Sequence, residues 1–213
     1  MTSVTDIRQL LVSLRQNVDR ADQIMMKSAT VSPEVAALVN MFADSVSTHV
    51  LNGINPYSSS DLWHGAYRAA KGVGSDDYIE LRMGLNLMLD AIDELIDELP
   101  FSQFAEIPDV LKLTSRILSV NQQQYADLLG VSTSTLRRWQ NSQSKPNPQD
   151  DAKIRFVGKL VSQLSYTLTQ HGIYEWLYHN QPDLRQRPVD TFDDPSKYDE
   201  VLALAESFRS MSI

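Results

Sequence analysis

Val120–Pro148 reads VNQQQYADLLGVSTSTLRRWQNSQSKPNP, and this stretch decides how the middle of the chain folds. It carries two helix starts in quick succession. Asn121 is a capping residue, and Gln124, three positions later, completes the reciprocal pattern in which each side chain takes the other's backbone N–H. Val120 is placed to staple onto Tyr125. The helix so begun ends at Gly130, which adopts the left-handed backbone of a sharp corner at little cost. Ser132 then caps a second helix, with Val131 stapling onto Leu136. Only a short turn is left between the two, the geometry of a helix-turn-helix. Tyr125, Ala126, Leu129, Val131, Leu136 and Trp139 form its expected packing set, with Ala126 small enough to let the helices approach.

The polar residues left outside that set carry the functional expectation. In a helix-turn-helix the second helix enters the major groove, and its N-terminal and outward side chains meet base edges. Here these are Thr133, Ser134, Arg137 and Arg138, with Asn141 at the end. Arginine reads guanine through two hydrogen bonds, and hydroxyls contact bases or phosphates. Which arginine reads a base is open at this level. Gln122 and Gln123, at the start of the preceding helix, can donate to the DNA backbone, and Lys145, Lys153 and Arg155 can neutralise phosphates. The alternatives are a solvated face for the paired arginines, or a motif retained only as an interaction scaffold.

Charge supports the DNA expectation. The 213-residue chain has a net charge of −8, but residues 111 to 160 carry 8 basic and 3 acidic groups. Residues 1 to 110 carry 7 and 16, and residues 161 to 213 carry 4 and 8. A basic segment between acidic flanks is the electrostatic footprint of phosphate contact and restricts where DNA can lie.

On either side of this stretch the pattern is helical nearly throughout, so the predicted fold class is all-α. Val4, Ile7, Leu11, Leu14, Val18, Ala21 and Met25 fall on one helical stripe, as do Leu81, Leu85, Met88, Ile92, Leu95 and Leu99, the last followed by Pro100. Their heptad spacing predicts shallow packing on a partner helix. Between them lie an amphipathic stretch from about Pro33 to Val50, a turn-rich loop from Asn52 to Ser60, and a short helix around Leu62 to Lys71 stopped at Gly72-Val73-Gly74. Asp90, Asp93, Glu94, Asp97 and Glu98 lie mostly off the stripe and read as a solvated face in preference to an acidic binding surface. The expected organisation is an N-terminal helical bundle over 1–107, for assembly or partner binding, a helix-turn-helix domain over 108–150 and a long helix with a small C-terminal domain over 151–213. Pro108 suits the first turn of the helix that opens the middle domain.

Several function classes are excluded at this stage. The chain lacks an apolar run long enough to span a membrane, and its polar N-terminus is not a secretory signal, so a cytoplasmic location is expected. With no cysteine there is neither a disulfide nor a thiolate metal site. No glycine-rich phosphate or dinucleotide motif and no nucleophile elbow is present, and no enzyme activity, cofactor or metal is expected. His171, Glu175 and His179 would align as metal ligands on one continuous helix, but Gly172 is expected to end the preceding helix there.

Val120–Pro148 resembles the Xre-type helix-turn-helix of bacterial regulators. Downstream, HGIYEWLYHNQPDLRQRPVDTFDDPSKYDEVLALAESF resembles the C-terminal domain of the Xre/MbcA/ParS antitoxin family, with matching positions at Trp176, Leu177, Pro182, Leu184, Pro188 and Asp190 and a closing helix from about Ser196 to Arg209. The family's glycine-rich turn is replaced by Arg185-Gln186-Arg187, and the N-terminal bundle lies outside the pattern. The resemblance implies a dimeric antitoxin that binds double-stranded DNA at its own promoter and neutralises a partner, often a RES-type toxin that degrades NAD. It places partner contact in the C-terminal region, where Trp176, Arg185, Arg187, Pro188 and Asp190 are the candidates. Arg185 and Arg187 could equally pair with Asp183, Asp190 or Asp193 on the surface. A regulator without a toxin, whose N-terminal bundle senses a ligand or protein, is the alternative.

Overall fold

A computed structural model describes residues 3–28, 31–45 and 48–210. Among these residues the chain is all-α, as expected, with α-helices, short 3-10 turns and a lone antiparallel bridge between Gln181 and Gln186. No described helix is long and apolar enough to cross a membrane. The chain divides into two compact units, Met1–Phe104 and Ala105–Ile213.

Unit 1 contains α1 (Val4–Ser28), α2 (Pro33–Ser45), α3 (Thr48–Asn52), α4 (Pro56–Ser75) and α5 (Tyr78–Glu98), followed by a 3-10 turn over Leu99–Phe101. The two stripes face the core, except that Val4 at the start of α1 is only half-buried. Ile7, Leu11, Leu14, Val18, Ala21 and Met25 of α1 are buried, and so are Leu81, Leu85, Met88, Ile92 and Leu95 of α5 together with Leu99. α1 packs on α5 within the unit, so each supplies apolar surface to cover the other. A fully buried leucine contributes about 1.5–3 kcal/mol relative to an exposed one, so both stripes add to a core that α2, α3 and α4 also line. The stretch from Pro33 to Val50 emerges as α2 and the start of α3, with Val46 and Ser47 outside the described residues.

Two expectations fail in unit 1, for physical reasons. The turn-rich segment around Pro56 is the start of α4, not a loop. Asn55 is extended and its side chain accepts from the Tyr57 and Ser58 amides, while Pro56 occupies the first turn, where its missing N–H is harmless. Nor does the helix stop at Gly72. It runs on to Ser75 and closes at Asp76, which takes the left-handed conformation at φ 52°. Gly72 serves approach instead of termination, because a methyl there would collide with the Leu81 backbone of α5. Gly84 is pressed in the same way against the Ala69 backbone, and a methyl at Gly65 would lie 2.9 Å from the Gly84 carbonyl. The acidic run of α5 is partly tied down, Asp93 by Arg15 at 2.6 Å and Glu94 by the Ser58 hydroxyl at 2.8 Å, leaving Asp90 and Asp97 exposed.

Unit 2 contains α6 (Ile107–Leu118), α7 (Gln122–Leu129), α8 (Thr133–Gln140), α9 (Pro148–Ser165), α10 (Gln170–Tyr178) and α11 (Tyr198–Ser210), with 3-10 turns at Pro188–Thr191 and Pro195–Lys197. α9 packs on both α6 and α11, and α8 rests on α6. Ile154, Val157, Val161 and Leu164 of α9 are buried, while Leu168 lies beyond the helix end and is only half-buried. A second row on the same helix, Lys153, Phe156 and Leu160, is also buried. Phe156 meets the tail there: its ring stacks on Tyr198 at 3.8 Å and meets Phe192 edge-on at 5.6 Å.

Candidate nucleic-acid interface

The local sequence builds α7 and α8 as its caps dictate. The Asn121 side chain accepts from the Gln124 amide at 3.0 Å and Gln124 Oε1 accepts from the Asn121 amide at 3.1 Å, the complete reciprocal box. At the far end Gly130 sits at φ 70°; its amide donates to the Asp127 carbonyl at 3.1 Å and the Val131 amide to Ala126 at 3.0 Å. These two bonds satisfy carbonyls that the helix end would otherwise orphan. Ser132 then caps α8 by accepting from the Thr135 amide at 3.1 Å. α8 ends in the same manner without a glycine. Ser142 is left-handed at φ 56°, its amide donates to Trp139 at 3.1 Å, and the Gln143 amide donates to Arg138 at 2.8 Å.

Of the expected packing set, Tyr125, Ala126, Leu129, Leu136 and Trp139 are buried. Val131 is only half-buried, because it stands at the turn itself. Burial pushes the Tyr125 phenol well above its ordinary value, with the Thr114 hydroxyl beside it pulling the other way.

Several of the outward residues fall into two clusters. In the first, Arg137 Nη2 donates to Gln122 Oε1 at 3.2 Å, and Gln122 Nε2 donates to Gln140 Oε1 at 2.8 Å. This joins the start of α7 to the exposed side of α8. In the second, the Ser132 hydroxyl lies 2.9 Å from those of Ser134 and Thr135, and Arg138 Nη2 stands 3.5 Å from Thr135 Oγ1. Gln123 belongs to neither, since its amide donates to Asp127 at 2.7 Å along α7. Thr133 is half-buried at the first turn of α8, Asn141 is its exposed C-cap, and Lys145 is exposed on the segment leading to α9. Gln140 and Thr135 were not among the expected residues. Helical spacing could have found them, since each lies three positions from an arginine already singled out.

Lys153 and Arg155 are corrections. The Lys153 ammonium is buried; it donates to the Leu129 carbonyl at 3.2 Å and pairs with the Asp193 carboxylate. Arg155 is held by Asp151 at 2.7 Å and donates to the Ala105 carbonyl at 3.0 Å. Neither offers its charge to an external phosphate. The signal was available in part, because Lys153 shares a helical row with Phe156 and Leu160 and so lies on the face that the tail covers.

The five tail candidates separate by depth. Trp176 and Pro188 are buried within unit 2, whereas Arg185, Arg187 and Asp190 are exposed. Arg187 and Asp190 form a two-pronged pair at 2.7 and 2.6 Å, which raises the guanidinium and holds the carboxyl below its usual range. Arg185 takes the left-handed conformation at φ 55°, with its amide donating to the Gln181 carbonyl at 2.8 Å. Beside this turn, Tyr174 and Tyr178 of α10 stack at 5.4 Å, both with phenols raised by burial.

Gly172 does not end a helix. Thr169 caps α10, accepting from the Gly172 amide at 3.2 Å, and the glycine lies in its first turn. Glu175 is thereby shared, 3.8 Å from His171 Nε2 and 3.1 Å from His179 Nδ1. Among the described residues no group of three or more His, Asp or Glu side chains is placed to hold a metal ion.

The chain is similar to the protein named "Probable mycobacterial cidal antitoxin Rv3188" from Mycobacterium tuberculosis (strain H37Rv), with 33% identity over 105 residues, covering 49% of this chain and 85% of that protein. No family model matches the chain, and no solved structure matches it significantly.

Proposed function

Because the chain belongs to the family of this mycobacterial antitoxin, we propose that it is a DNA-binding, antitoxin-like regulator, which neutralises a partner toxin and represses its own promoter. The observation that carries the reading is the match across 85% of the antitoxin's length. The pair α7–α8 supports the DNA-binding half as a helix-turn-helix. Thr133, Ser134, Arg137 and Arg138 lie together along one short helix, with Gln122 at the start of its neighbour, and the segment from 111 to 160 is the basic part of an acidic chain. Asn141 and Lys145 supply further phosphate or base contacts. The toxin-binding half is assigned to the tail of unit 2. There exposed Arg185, Arg187 and Asp190 present the contact surface, while buried Trp176 and Pro188 shape the turn that carries them. The protein acts as a homodimer in the cytoplasm, uses no cofactor and catalyses no reaction. Unit 1 serves assembly or partner choice.

Two measurements on the full chain test the reading. The purified protein should retard DNA taken from upstream of its own gene, with an affinity that falls steeply as salt rises. Co-expression should restore growth to cells poisoned by the product of the adjacent reading frame. Absence of any retardation removes the DNA-binding half, and failure to rescue growth with every adjacent product removes the antitoxin half.

A further inference from the structure

We propose that Arg137 is the residue that reads a base, a guanine in the major groove, and that Gln122 is the positioning residue that aims it. This rests on the DNA-binding reading above and specifies how that surface discriminates sequence.

The two adjacent arginines of α8 are chemically identical and both exposed, so composition cannot rank them. Their restraints can. Arg137 donates to Gln122 Oε1 at 3.2 Å, and the same amide donates onward to Gln140 Oε1 at 2.8 Å. The Gln122 amide is thus used at both ends, and its orientation follows. Turned over, it would set its NH2 against a guanidinium that only donates, and its oxygen against an oxygen that only accepts. Arg137 is therefore held by a side chain that is itself held, between the start of α7 and the last turn of α8. It spends one of five N–H groups on that restraint, which leaves enough of its planar fork to meet guanine O6 and N7 together. A long side chain restrained before binding loses less rotamer freedom on contact, and base reading requires a fixed direction.

Arg138 is different. Its approach to Thr135 Oγ1, at 3.5 Å, is at the outer limit of a hydrogen bond and comes from its own helix. A loosely held cation suits a phosphate, which tolerates many directions. The assignment is therefore asymmetric: Arg137 for sequence, Arg138 for affinity.

The test uses the full chain and a site selected from random-sequence duplexes. Dissociation constants are then measured on that site and on each of its single base-pair replacements, for the wild type and for R137A, Q122A, Q122E and R138A. The wild type is expected to lose roughly 5- to 150-fold at a G·C pair that Arg137 reads, the range for one two-pronged contact. R137A should erase the penalty at that pair and leave the others intact. Q122A should reduce the same penalty part way. Q122E, which keeps an acceptor for the guanidinium, should retain it even if its negative charge weakens all sites alike. R138A should weaken every site by a similar factor and shallow the salt slope of log K by about 0.9. If R137A leaves every base-pair penalty in place, or Q122A and Q122E behave alike, the inference is overturned while DNA binding stands. If the wild type selects no sequence and binds no duplex, the DNA-binding reading fails with it.

Discussion

The buried ammonium of Lys153 reaches the exposed carboxylate of Asp193 while also donating to the Leu129 carbonyl, so one side chain of α9 ties the end of α7 to the tail. The two partners do not matter equally. Asp193 is 80% exposed, and an ion pair open to water is screened to no more than about 1 kcal/mol. The Leu129 bond lies in the interior, where an acceptor left unsatisfied costs about 1–3 kcal/mol. Lys153→Met is therefore expected to destabilise unit 2 by about 1–3 kcal/mol and Asp193→Asn by less than about 1. Urea denaturation of both variants checks the order, and equal losses would show that the salt bridge dominates.

Gly84→Ala should be more damaging than any surface change in unit 1. The added methyl meets the Ala69 backbone, which has no rotamer to change, so α4 and α5 must separate. Overpacking of this kind costs about 1–3 kcal/mol, and backbone contact puts the site at the upper end. Gly74→Ala is the control, since nothing lies within 4 Å of a methyl there. A helix gains slightly from that exchange. Thermal melts should therefore move in opposite directions.

Alkali should unfold unit 2 through its tyrosines. Burial raises the Tyr125 phenol and lifts Tyr198 to about 12, so both hold their protons more tightly folded than unfolded. The stability they contribute is complete below the ordinary phenol value of about 10 and is lost as pH climbs from there through the folded values. The urea midpoint should fall between about pH 9 and pH 12, and Tyr125→Phe should flatten that fall. Absorbance at the tyrosinate band offers a second reading: the most resistant phenol should ionise together with the loss of helical signal, and it should vanish in Y125F.

Arg185→Gly separates strain from function in the tail. An arginine at φ 55° bears a left-handed penalty of about 1–2 kcal/mol. Glycine removes it while adding about 0.5–1 kcal/mol of chain entropy to the unfolded state. A small rise in stability is expected and, on the proposed antitoxin reading, weaker capture of a toxin in a pull-down. A melting temperature that drops would mean that the Arg185 side chain stabilises the turn itself.

Much of unit 2 could be read locally. The box at Asn121 and Gln124, the corner at Gly130 and the cap at Ser132 each depend on residues within four positions, and all form. The stripes of α1 and α5 were legible for the same reason, since helical periodicity is a local code. What failed depended on the neighbour across the space. Gly72 and Gly172 look like helix ends in sequence, yet one makes room for Leu81 and the other sits in a first turn that Thr169 caps. Lys153 and Arg155 look like phosphate ligands until the tail and the Ala105 carbonyl are in place. The left-handed ends at Asp76, Ser119 and Ser142 carry no glycine and so gave no signal. The grouping of Gln122 with Arg137 and Gln140 was equally hidden, because it requires knowing how α7 faces α8.

The glycine seam between α4 and α5 leaves that hairpin without room to adjust. Most helix pairs meet through side chains that can re-sort when one of them changes, which lets a bundle drift in crossing angle while keeping its topology. Where Gly65, Gly72 and Gly84 bring main chain against main chain, no such cushion exists. The hairpin has one angle and one register, and it behaves as a splint. A methyl added at Gly65, Gly72 or Gly84 would have to push main chain aside, so at those three positions the splint can be neither thickened nor bent.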